Sequence, residues 1–152
     1  ELGWRLNTLQ ILRQKKLMKK YLGEYETFLK KAGSDVWATR AAIWCSIHIV
    51  LLEQLRRNPN WLLHSYEDIC EHPVAKFRTI SAELGLEWTD KFDHKVLLKS
   101  VKPDIDSGST NRVSKLMPDV WQQRLSISEI DTILEVCDRF GLADYPNCFR
   151  LP

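Results

Sequence analysis

The run Trp61-Leu62-Leu63-His64-Ser65-Tyr66 constrains this chain more than any other stretch. It opens on consecutive apolar residues, lacks the alternation of a half-exposed strand, and follows the stop signal Asn58-Pro59. Such a run suits a strand covered on both faces, as in parallel sheets flanked by helices. A lone strand leaves its backbone N–H and C=O groups without partners. No second segment of that type is present. Either its neighbours belong to polypeptide N-terminal to Glu1, or the run is a buried connector inside an all-helical bundle, with side chains or water taking up its backbone groups.

The rest of the sequence reads as helices and loops. Leucines at roughly helical spacing from Leu6 to Leu29 predict one long helix over 2–31, basic through Arg13, Lys15, Lys16, Lys19 and Lys20. Those cations suit a solvated face or one that lies near an anionic ligand. Gly33 ends that helix, and Ser34 or Asp35 can cap the next. Trp37, Ala41, Trp44, Cys45, His48, Leu51, Leu52 and Leu55 predict a second helix over 36–57. His48 lies on its apolar stripe and reads as a core histidine. After Tyr66 come Glu67 and Asp68, then a helix opened by Pro73 and closed by Gly85, with Val74, Phe77, Ile80 and Leu84 as its buried face. A shorter amphipathic helix is expected over 89–99 and a polar loop over 101–112. One or two turns follow around Trp121. A final helix starts at the capping box Ser126–Glu129 and stops at Gly141.

The expected class is therefore α/β but mostly helical: one clear strand among about six helical segments. All 152 residues are read as one domain. A net charge of +2 argues against a general nucleic-acid binder. No window of roughly 18 apolar residues free of charge appears, so no membrane span is expected. Four cysteines without a C-x-x-C pair give no zinc or redox motif, and no metal is expected. Cys45 and Cys137 read as small buried hydrophobes. Reduced cysteines and the lack of a visible leader lead us to expect a cytoplasmic location. A first residue of Glu1 leads us to expect a segment of something longer, or a processed or trimmed product.

Three stretches in order resemble one family. "LLHSYEDICEHPVAKFRTISAELGL" resembles the strand, Y-E-D, acidic, proline, helix and L-G-L segment of sulfotransferases, through Tyr66, Glu67, Asp68, Ile69, Pro73, Phe77, Ile80, Leu84, Gly85 and Leu86. "ELGW" at the amino end resembles the stretch after the family's 3′-phosphate element. "NRVSKLMPDVWQQRLSISEIDTILEVCDRFGL" resembles the closing loop and tail helix of bacterial-type members.

The resemblance implies a fold related to P-loop nucleotide kinases, of which this chain would be the C-terminal half. It implies an enzyme that transfers a sulfuryl group from 3′-phosphoadenosine-5′-phosphosulfate (PAPS) to a hydroxyl or amine on a small-molecule or carbohydrate acceptor. It implies that Tyr66 contacts the adenine, and that Arg112, Ser114 and Lys115, with Ser109 and Thr110 as lesser candidates, meet the phosphates. The family's phosphosulfate loop has no counterpart here. No catalytic residue is therefore assigned to this chain, which is expected to be inactive alone and to need that missing half or a second copy as partner. Glu67 and Asp68 read as structural, because a carboxylate beside a bisphosphate repels it. The alternatives are a non-catalytic helical interaction module derived from the same scaffold and an unrelated helical binding protein with a coincidental Y-E-D.

Overall fold

The computed structural model describes residues 7–101 and 113–143. Eight α-helices occur among them: α1 (Thr8–Leu12), α2 (Lys15–Leu17), α3 (Glu26–Ala32), α4 (Val36–Arg57), α5 (Tyr66–Glu71), α6 (Pro73–Glu83), α7 (Asp90–Val101) and α8 (Ile127–Arg139). The described residues contain no strand and no sheet, so the chain is all-α here rather than part of a parallel-sheet α/β domain related to the P-loop kinases. The run that suggested a strand is irregular over 61–65, and Tyr66 opens α5. The reason is local. The Ser65 hydroxyl accepts the Asp68 amide at 3.3 Å, and the Ile69 amide donates to the Ser65 carbonyl at 3.2 Å. A helix satisfies these groups within the segment, whereas an isolated strand cannot.

The chain divides into two compact units, Glu1–Leu62 with Leu125–Pro152, and Leu63–Arg124. In the first, the expected long basic helix is broken. Residues Met18–Leu22 form a π-turn and Gly23–Tyr25 a 3₁₀ turn between α2 and α3. The break at Arg13–Gln14 lets α1 fold back on α3. Gly23 suits its place, since a Cβ there would lie 3.3 Å from the Met18 carbonyl oxygen. Helix α4 runs as expected, capped by Asp35, whose carboxylate accepts the Ala38 amide at 2.7 Å. It packs along α8 and also meets α3 and α1. Leu22, Leu29, Ala42, Cys45, Val136, Phe140 and Leu142 are buried together in the core of this unit. The Phe140 ring stacks on Tyr25 at a centroid distance of 4.1 Å and meets Phe28 edge-on at 5.8 Å.

The capping box at Ser126–Glu129 is present and does more than start a helix. Glu129 Oε2 accepts the Ser126 amide at 2.7 Å, while its Oε1 accepts the Trp37 indole N–H at 2.6 Å. One carboxylate thus ties the start of α8 to the first turn of α4. His48 stacks on Trp44 at 3.6 Å, and its Nδ1 lies 2.8 Å from the Trp44 carbonyl oxygen, as a structural histidine does.

The second unit is built differently. Helices α5, α6 and α7 pack in sequence, and the 3₁₀ turn Ser114–Leu116 lies against α5 and α7. Pro73 opens α6, and Gly85, at φ 66°, closes it in the left-handed region that glycine tolerates. Yet Cys70 is the one buried apolar residue among its described residues. The face of α6 expected to be buried is not: Phe77 and Leu84 are exposed, and Val74 and Ile80 only half-buried.

Core and surface should therefore respond very differently to truncation. Leu29→Ala, at a fully buried position, is expected to cost about 2–5 kcal/mol in urea unfolding. Leu84→Ser, 57% exposed, should change stability by less than about 0.5 kcal/mol. Equal losses at both positions would contradict the burial described.

Candidate functional site

Within the second unit the C-terminal end of α5, the first turn of α6, the last turn of α7 and the turn at Ser114 surround a groove of about 500 Å³. Ser114 and Lys115 both line it, together with Glu71, His72 and Ser100. Its walls are otherwise largely apolar, from Pro73, Val74, Leu97, Val101 and Val113. The amides of the first turn of α6 have no intrahelical acceptor, and no side chain caps them. A hydroxyl, an ammonium and a helix amino end can together receive an anion, and the apolar walls suit a flat ring. Glu71 opposes an anion from the same rim.

The polar links among α5, α6 and α7 hold this groove open. Asp68 Oδ2 on α5 pairs with Lys76 Nζ on α6 at 2.9 Å, the structural role expected of that carboxylate. The Ser65 hydroxyl donates to Glu67 at 2.7 Å, which keeps Glu67 at its own helix start. His64 Nε2 lies 2.8 Å from Glu83 Oε2. Arg78 on α6 holds Asp93 on α7 through both guanidinium and carboxylate ends, and Trp88 donates its indole N–H to the same carboxylate at 2.8 Å.

Of the four residues assigned by resemblance to the cofactor, Ser114 and Lys115 come together in one groove. Tyr66 lies at the other end of α5 from the groove and does not line it. It is 53% exposed. A hydrogen bond to Cys70, reinforced by partial burial, raises its hydroxyl pKa. Arg112, Ser109 and Thr110 lie outside the described residues.

The first unit has a separate cleft of about 480 Å³, bordered by Lys20, Tyr21, Tyr25, Leu52, Arg56 and Phe140 among others. Of the basic residues expected to face an anionic ligand, Lys20 alone lines it. Tyr21 is fixed there by Gln54, whose amide donates to the phenol oxygen at 2.7 Å. The π-turn sets that position, and no spacing in the sequence announces it. No group of three or more metal-ligating side chains occurs among the described residues. Helix α4 is long and apolar enough to cross a membrane by length and composition, yet it supplies Ala42 and Cys45 to the core of its unit.

No family model matches the chain, and neither a curated protein nor a solved structure is similar to it.

The Asp93 cluster is expected to be sensitive to acid. Arg78 first, then Trp88, lowers the Asp93 pKa in the folded chain. Its contribution is thus present at neutral pH and lost as pH falls through that lowered value. The indole N–H resonance of Trp88 should shift in that acid range. Asp93→Asn should give the shifted position already at pH 7. A Trp88 signal indifferent to both changes contradicts the cluster.

Proposed function

We propose that the chain takes part in PAPS-dependent sulfuryl transfer, holding the donor's phosphates while other polypeptide supplies the phosphosulfate loop and the base. The observation that carries this reading is that the adjacent pair Ser114 and Lys115, within the family-like "NRVSK" stretch, lines a groove beside the amino end of α6. The ordered resemblance of the Y-E-D, L-G-L and tail-helix segments supports it. The apolar walls offer the adenine a surface, and Lys115 neutralises phosphate charge as a point cation. The acceptor is a hydroxyl or amine, of a small molecule or carbohydrate. The parallel sheet that went with the resemblance forms no part of this reading.

Titration calorimetry with adenosine 3′,5′-bisphosphate tests it. Binding is expected, with Lys115→Ala and Arg112→Ala each weakening it by roughly 1–3 kcal/mol. The reading falls if the bisphosphate binds neither the chain nor a longer polypeptide containing it, or if both substitutions leave affinity unchanged.

A second reading, the non-catalytic helical module, is favoured by the apolar surface of residues 63–124. Leu84, Leu86, Leu98 and Leu116 are each exposed, in a unit whose described residues bury Cys70 alone among apolar side chains. Surface of that kind belongs to a segment that works against another polypeptide. Light scattering should show self-association that Leu84→Ser with Leu86→Ser reduces. A monodisperse monomer removes this support.

A further inference from the structure

Cys45 and Cys137 stand 92 positions apart in sequence and meet in the core of the first unit, with their sulfurs 3.9 Å apart. One rides on α4 and the other on α8, the helix pair that closes that unit. Neither lines the groove or the cleft described above. A disulfide bond needs about 2.05 Å. Forming the bond therefore requires the two sulfurs to close that remaining gap, by side-chain rotation and a slide of α8. The two thiols differ in access: Cys45 is fully buried and Cys137 half-buried.

We propose that Cys45 and Cys137 form a dithiol modification site, which a low-molecular-weight disulfide of the glutathione type converts to a 45–137 cross-link fixing α8 to α4.

The asymmetry of the pair gives the order of events. The Cys45 S–H donates to the Cys137 sulfur, which holds the Cys137 pKa below the usual thiol range against the opposing effect of burial. Cys137 is therefore the sulfur that meets a small disulfide from solvent. Its thiolate attacks one sulfur of glutathione disulfide, whose S–S bond breaks and releases one glutathione thiolate. A mixed disulfide now sits on Cys137. Cys45, already in contact, gives up its proton and attacks the Cys137 sulfur. The mixed bond breaks, and a second glutathione leaves carrying that proton. Two protein thiols have lost two electrons and two protons, and one glutathione disulfide has become two thiols.

The test is oxidation of the whole chain in a glutathione redox buffer, followed by non-reducing peptide mapping, with Cys70→Ser and Cys148→Ser in a parallel sample to simplify the map. Expected is joint loss of the two thiols, a mass lower by about 2 Da, and a linked peptide pair reversed by dithiothreitol. The cross-linked form should melt roughly 5–10 °C higher. Cys45→Ser should stop the reaction at a stable glutathione adduct on Cys137, and Cys137→Ser should leave Cys45 unmodified over the same time. Persistence of the Cys137 adduct in the unsubstituted chain, linkage of either cysteine elsewhere, or no reaction at all overturns the proposal. The map of the unsubstituted chain decides these outcomes even if a substituted form fails to fold.

Discussion

The packing of α8 along α4 is the constraint on which the first unit depends. Helices α1 to α3 are short, at 5, 3 and 7 residues. None is long enough to persist alone in water. They are held because α4 and α8 form a floor of Ala42, Cys45, Val136 and Phe140 against which Leu22 and Leu29 are fully covered. Dispersion and the removal of apolar surface from water act together there. The polar links to Glu129 do a different job. They set the register of α8, because one carboxylate reaches both its own helix start and the indole of Trp37.

The second unit reverses that balance. Its helices are joined by ion pairs and an indole hydrogen bond on partly exposed side chains, with Cys70 the sole buried apolar residue among those described. Links of this kind fix direction but contribute little stability each. The groove at Ser114 and Lys115 is thus framed by elements held by polar links more than by burial. On the reading proposed here, the Lys115 side of the groove receives the anion and Glu71 repels it.

Much of the helical content could be read from the sequence because its signals are local. Asp35 ahead of an apolar stripe, Pro73 at a first turn, Gly85 and Gly141 at helix ends, and Ser126 with Glu129 all act within four residues. The strand assignment at 61–66 failed because a continuous apolar run carries no period of its own, and Ser65 gave the backbone a helical alternative. The broken helix over 2–31 failed for another reason: leucines at near-helical spacing cannot reveal that α1 turns back upon α3. Apolar periodicity also misjudged α6, since it marks a face able to be covered, not one that is. In the site, the resemblance named Ser114 and Lys115, and the fold places both on one groove. The exclusion of Tyr66 from their groove, the Trp37–Glu129 bond and the meeting of Cys45 with Cys137 all depend on long-range packing that no spacing encodes.

The order of the helices along the chain has a consequence for biosynthesis. Residues 63–124 are inserted between the two pieces of the first unit. When Leu62 has been made, α4 has α1 and α3 to pack on but not α8, so the part of its apolar stripe that α8 covers is still open. At roughly 5–20 residues per second, about 4–16 s pass before residue 143 is added. For that interval the nascent chain presents the side of α4 that will later be sealed.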